Sequence, residues 1–373
     1  MEVDYRLNFK LSGHSGAIIS LSVRHDGKFL ASGGSDGTKV WELSGRRAVS
    51  VPASPDLRGA TTSLLWIKRE DDIGEALVIG THAGYVAGWR EETSGMTFTE
   101  MWARQLSEPM EITGLAFDAP TNRLGVCHRG GVLQVYTLSA AMVLHEVFSF
   151  KIQNCVPRAI GFGSMNGDQR ELLLFGLYCG KAYSLNGRHN FDSQQGLEYW
   201  IDHVSQDKAA ESNGVLCIDD PSSGINLYRL TERELVKSFP MKKTARIRNV
   251  AIGDGCSSIV SGSDCGVVYI HDRRSGKLVA ELKIEGADWV QTVAAGNVGG
   301  VPYIFAAQSR ETTVNDILVY HKQPNRRRFL QRVGETFFRL FWAVMAVAGL
   351  AFFYQHANIT LVDRVVERVL TVV

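Results

Sequence analysis

The chain has 373 residues, 45% of them hydrophobic, with 40 Lys and Arg against 39 Asp and Glu and a formal net charge of +1. That length buries a large core, either as two ordinary domains or as one all-β ring. The balanced charge supplies no basic face for phosphates, so no nucleic-acid partner is expected.

At the N-terminus, residues 1–13 carry acidic side chains at positions 2 and 4 and no apolar run. The charged-then-apolar layout of a secretory signal is missing, and the bulk of the chain is expected in the cytoplasm. Residues 11–43 follow with the clearest pattern in the molecule. Gly13-His14 opens it, and an alternating run through Ile18, Leu21 and Val23 comes next. An Asp26-Gly27 turn, a second run from Phe29 to Ser32, an Asp36-Gly37 turn and a third run ending at Trp41-Glu42 complete it. Asp-Gly between alternating apolar runs is a hairpin signal, because glycine accepts the positive φ of a tight turn. The pattern predicts three consecutive antiparallel strands.

A turn glycine followed four or five residues later by an aromatic, or by a residue replacing it, recurs along the chain. The pairs are Gly37 with Trp41, Gly84 with Trp89, Gly131 with Tyr136, Gly180 with Tyr183 and Leu185, Gly224 with Tyr228, and Gly266 with His271. A seventh run at 316–322 has Tyr320 in the corresponding place. Successive glycines lie 42 to 49 residues apart, the period of one propeller blade. The copies between 140 and 235 are degenerate, which leaves six or eight blades as alternatives to seven. A ring of sheets needs its ends latched to avoid an unpaired edge. The last repeat stops after a third strand near Lys322, so Tyr5 to Lys10 is expected to supply its outer strand.

The Gly-His start and Trp-Glu end of residues 11–43 resemble the marks of a WD40 repeat. The resemblance covers roughly 5–322 and is specific in 11–43 and 261–276. It implies an all-β fold, a seven-bladed β-propeller of four-stranded antiparallel blades. It also implies that His14, Ser32, Asp36 and Trp41 form a buried hydrogen-bonded tetrad within the first blade. The Asp36-to-Trp41 interval is one residue shorter than is usual in that family. Such repeats are numerous in fungal and other eukaryotic proteins, so the resemblance implies a eukaryotic platform that binds proteins or peptides on a propeller face.

Beyond residue 322 the composition changes. Residues 323–336 read as a basic linker, 337–360 as a transmembrane helix and 361–373 as a short amphipathic tail. No charged residue occurs from Leu340 to Val362. At 1.5 Å per residue that run gives about 34 Å of helix against a hydrocarbon core of about 30 Å, whereas its dense apolar part, Leu340 to Tyr354, gives about 22 Å. Lys322, Arg326, Arg327, Arg328, Arg332 and Arg339 against Glu335 put a net +5 on the near side. By the positive-inside bias the propeller is expected to be cytoplasmic and anchored to an intracellular membrane, the endoplasmic reticulum or another organelle. A helix that packs on a partner chain is the alternative. Asn358-Ile359-Thr360 matches a glycosylation acceptor but lies close to the expected membrane.

The six cysteines (Cys127, Cys155, Cys179, Cys217, Cys256, Cys265) form no Cys-x-x-Cys pair, and only Cys127 has a histidine beside it, His128. They read as reduced core thiols rather than metal ligands. No phosphate-binding glycine loop, His-Glu-x-x-His or Gly-x-Ser-x-Gly occurs, so no catalytic activity, cofactor or metal is expected. For partner binding, Trp289 occupies a place resembling the family's exposed start of an inner strand, where partners dock, and aromatic and Arg anchors dominate interface energy. Filling a groove between blades is the competing role for Trp289. Arg158, Arg246 and Arg248 precede or open strands in other blades and are weaker candidates. The expected function is a membrane-tethered interaction scaffold. Two other readings compete: an exchange factor for a small GTPase, since a cytoplasmic propeller followed by one span looks like the factor that starts coated-vesicle budding at the endoplasmic reticulum, and a soluble propeller whose last helix docks a partner or forms oligomers.

Overall fold

The computed structural model describes residues 5–53, 56–71, 74–93, 95–166, 169–176, 181–185, 195–198, 203–207, 214–220, 224–229, 234–241, 246, 248–286, 289–309 and 315–323. In the C-terminal part it describes 338, 341–342, 344–349, 351–353, 355, 363–364 and 367–368. The chain divides into two compact units, Met1–Lys322 and Gln323–Val373.

Unit 1 is built of seven four-stranded antiparallel sheets among the described residues. Blade 1 comprises Ile18–Val23, Phe29–Gly34, Gly37–Glu42 and Arg47–Ala48; blade 2, Thr61–Lys68, Glu75–Thr81, Tyr85–Glu91 and Phe98–Gln105. Blade 3 comprises Ile112–Asp118, Arg123–His128, Val132–Leu138 and Leu144–Lys151; blade 4, Pro157–Asn166, Gln169–Gly176, Lys181–Leu185 and Gln195–Glu198. Blade 5 comprises His203–Asp207, Val215–Asp220, Gly224–Arg229 and Leu235–Pro240; blade 6, Val250–Gly253, Ser258–Ser261, Val267–Asp272 and Leu278–Lys283. Blade 7 takes Thr292–Val298, Val301–Ala307 and Asn315–Lys322 from the end of the unit and Tyr5–His14 from its beginning. The innermost strand of each blade contacts that of the next, and that of blade 7 contacts blade 1, so the ring closes.

Closure is carried by the N-terminal strand. Tyr5 pairs with Lys322, Leu11 with Ile317, and His14 with Asn315. Two side chains of blade 7 reinforce it from within: Ser309 Oγ donates to the Ile18 carbonyl at 3.0 Å, and Asn315 Nδ2 donates to the Gly16 carbonyl at 2.9 Å. Both residues are buried, so these bonds fasten the first and last blades where water does not compete.

The third strand of every blade carries the marker residue found in the sequence, and all of them are buried: Trp41, Trp89, Tyr136, Tyr183, Leu185, Tyr228, His271 and Tyr320. Six face a branched aliphatic side chain of the second strand: Leu30, Leu77, Leu124, Leu216, Ile259 and Ile304, in blade order. Blade 4 carries two such residues, Leu185 opposite Leu172 and Tyr183 opposite Leu174. Large side chains at this register fill the gap between twisted, radially splayed sheets. They form the clusters that join neighbouring blades, such as Phe29, Trp66, Leu77, Trp89 and Phe98.

In unit 2 the described residues from Phe338 onwards are helical. Among the described residues no helix is long and apolar enough to cross a membrane, so the spanning helix expected over 337–360 is not supported. The physical reason is length, since the dense apolar stretch covers about three quarters of a hydrocarbon core. Phe338, Phe341, Trp342, Val344, Met345, Val347, Phe352 and Phe353 are 50% to 73% exposed. Arg326, Arg327, Arg328, Arg332 and Arg339 lie outside the described residues, as does Asn358-Ile359-Thr360.

Candidate interaction face

Among the described residues, strand order places the turns between second and third strands, and the connections from one blade to the next, at one end of the ring. In blade 1 that end is organised by a chain of four side chains. Trp41 Nε1 donates to Ser32 Oγ at 2.7 Å, Ser32 Oγ lies 2.7 Å from His14 Nε2, and His14 Nδ1 lies 2.6 Å from Asp36 Oδ1. The Ser15 amide donates to the other carboxylate oxygen at 2.9 Å. Facing a carboxylate, Nδ1 carries the imidazole proton, and Nε2 accepts from Ser32. Burial pushes the His14 pKa below its usual value even though Asp36 opposes that shift. Burial alone raises the Asp36 carboxyl, yet the hydrogen bonds from His14 and the Ser15 amide bring it below the usual carboxylate value. The tetrad is thus a neutral imidazole between a hydroxyl and a carboxylate. It fixes the turn after the second strand against the segment leading into the first, which is a structural task.

The turn of blade 2 shows why glycine is needed: Gly84 has φ +75°, and a Cβ there would lie 2.8 Å from both Pro109 Cα and the Met110 nitrogen. Close approach of this turn to the following connection leaves Met110 half exposed, and on the preceding connection Leu57 is 83% exposed. Neither residue carried a sequence signature, because both belong to connections without periodicity.

The partner-binding candidates divide into two groups. Trp289, half-buried on the connection into blade 7, meets Arg246, exposed on the connection into blade 6; the guanidinium carbon lies 5.4 Å from the ring centroid. The structure therefore brings these two together as a cation–π pair at an accessible place. Arg248 is not at the surface. It is 1% exposed and bidentate to Asp219 of blade 5, with Nε and Nη2 donating at 2.7 and 2.6 Å, so its role is to tie two blades. Arg158 is half-buried in the inner strand of blade 4, and its charge acts on the Cys127 thiol.

Cys127 is fully buried, and desolvation pushes its pKa up to about 12, which makes it a poor nucleophile or ligand. Its neighbour His128 is buried with Nδ1 accepting from the Gly130 amide at 3.0 Å. Among the described residues no group of three or more His, Cys, Asp and Glu is placed to hold a metal. Cys155, Cys217 and Cys256 are buried thiols, but Cys265 is exposed, which corrects its reading as a core residue; Cys179 lies outside the described residues.

A closed ring of seven four-stranded blades is a β-propeller. Residues 5–42 match the family described as WD domain, G-beta repeat. The matched stretch runs from the closing strand of blade 7 through the third strand of blade 1 and contains all four tetrad residues. No curated protein matches the chain.

Proposed function

We propose that this protein is a non-catalytic interaction scaffold whose partner, a protein or peptide, docks on the face formed by the blade connections. The observation that carries the reading is the Trp289–Arg246 pair, in which a large aromatic ring and a guanidinium from two different blades are stacked at the accessible end of the ring. Exposed Leu57 and Met110 add apolar contact area on the same face, and the similarity of the first blade to a WD repeat supports protein binding as the general task. Site-specific photo-crosslinking tests it. A photoreactive residue at position 289 should yield discrete crosslinked partners in cells, and one at Thr99, on an outer strand, should not. Equal labelling from both positions would sink the proposal.

The proposal extends to the C-terminal segment, which attaches the cytoplasmic propeller to an intracellular membrane. The support is the set of exposed aromatic and aliphatic side chains from Phe338 to Phe353 and the basic residues that precede it in sequence. Alkaline carbonate extraction of cells expressing the full chain or a chain ending at Lys322 is the test. Membrane retention of the full chain alone is the expected result; extraction of both makes the segment a docking helix for another chain. Exchange activity on a small GTPase gains nothing from the fold, and a nucleotide-release assay without acceleration removes it.

A further inference from the structure

Between blades 3 and 4, the connection that follows Lys151 curls back over the end of blade 3 and leaves an open depression of about 470 Å³. Its lining includes the side chains of Arg129 and Lys151 and the turn Gln153-Asn154, and it contains no carboxylate. The two cations come from different elements, Arg129 from the turn after the second strand and Lys151 from the end of the outer strand. Each is engaged only at the rim by an exposed or partly exposed carboxylate: Arg129 Nη1 donates to Glu111 Oε2 at 3.0 Å, and Lys151 Nζ donates to Glu108 Oε2 at 2.7 Å. Exposed pairs of this kind are weak and exchangeable.

The backbone adds a second feature. The last ladder bond of the connection runs from the Ile152 amide to the Gly131 carbonyl at 2.8 Å. Asn154 then adopts φ +56°, the left-handed region, at the turn that lines the depression. Among the described residues the amides of Gln153 and Asn154 have no backbone acceptor. Two cations and a lining free of carboxylates share one chemical preference.

We propose that this depression is an anion-binding subsite of the interaction face, and that it takes the carboxylates of an acidic, Asp- or Glu-rich segment of the partner; this rests on the reading of that face as the docking surface. On binding, the partner's carboxylates replace Glu108 and Glu111 on the two cations, while Met110, which packs beside Gly130, meets the apolar part of the same segment. Fluorescence anisotropy of a labelled octaglutamate peptide with the purified full chain tests it, with octaglutamine and inorganic phosphate as comparison ligands. Octaglutamate should bind, more tightly at low salt, and octaglutamine should not. The R129A/K151A variant should weaken octaglutamate binding about tenfold or more. The E108Q/E111Q variant, which frees both cations, should tighten it about threefold. All four side chains are surface groups, so circular dichroism should show every variant folded. Equal affinity of wild type and R129A/K151A, or absence of octaglutamate binding, would each overturn the proposal. Crosslinking from position 289 reports on the face as a whole and this titration on the depression alone, so the two readings fail separately.

Discussion

Blade 1 and blade 6 solve the same packing problem with different chemistry. In both, a flat ring on the third strand faces a branched aliphatic residue on the second, Trp41 against Leu30 and His271 against Ile259. In blade 1 the indole nitrogen is satisfied by Ser32, and the network continues through His14 to Asp36. In blade 6 the imidazole packs edge-on against Phe239, with ring centroids 5.5 Å apart, and its Nδ1 has no partner among the described residues. Burial drives the His271 pKa down, so the ring stays neutral. What orients blade 6 lies at its inner edge, where Arg248 reaches into blade 5 and is held by Asp219. The ring position thus demands bulk in every blade, whereas polar ties are placed within a blade or between blades as the local sequence permits.

The comparison is most sharply broken at Arg248. Arg248→Ala removes the guanidinium that is bidentate to the buried Asp219 carboxylate, and should cost about 3–5 kcal/mol in urea unfolding. Replacing both partners, as R248M/D219L, should recover most of that loss. A loss under about 1 kcal/mol for R248A would mean that the ion pair does not hold the two blades. Next in size is Ser32→Ala, which strands the Trp41 donor and the His14 acceptor together and should cost about 2–3 kcal/mol. His271→Phe removes an unsatisfied nitrogen and should stay within about 1 kcal/mol of wild type at neutral pH; a cost as large as that of S32A would show a hidden partner.

The same pair of blades differs in its response to acid. His14 and His271 both have pKa values below 6.5 in the folded chain, so as pH falls through the unfolded value the unfolded chain takes up protons that the folded one refuses. Their contribution is therefore fully present above about pH 6.5 and declines below it. The depressed Asp36 works in the same sense at lower pH, through the unfolded carboxylate value and downward. Thermal melts should show a smaller stability loss from about pH 7.5 to about pH 5.5 in H271F than in wild type. Equal losses would mean that His271 does not titrate on unfolding. The smallest effect is expected at the surface: W289A/R246A should shift stability by no more than about 0.5–1 kcal/mol, because the pair is partly solvated.

The blade count, the closing strand and the third strand of every blade were legible because propeller strands repeat a turn glycine and a buried ring at a fixed register. Six of the seven markers fell on the register that faces a second-strand Leu or Ile, and even in the degenerate blade 4 the pair Tyr183 and Leu185 bracketed it. The His14-to-Trp41 network was legible only through the resemblance of residues 11–43 to a WD40 repeat. Arg248 misled because a basic residue before a strand reads as surface. Its partner, Asp219, lies 29 residues away on another blade, and no local pattern connects them. Trp289 and Arg246 were named separately, but their contact depends on how two connections converge over the ring. Leu57, Met110 and the depression beside Lys151 left no trace in periodicity at all. The span expected over 337–360 gains no support among the described residues, because the charge-free run is longer than its densely apolar part.

The most direct test of the account is quantitative affinity capture with isotope-labelled cells, comparing the full chain with W289A/R246A at matched expression. The account predicts a discrete set of proteins depleted about tenfold or more with the variant, while thermal melting shows the propeller itself intact. Recovery of the same proteins in the same amounts with both chains would contradict it.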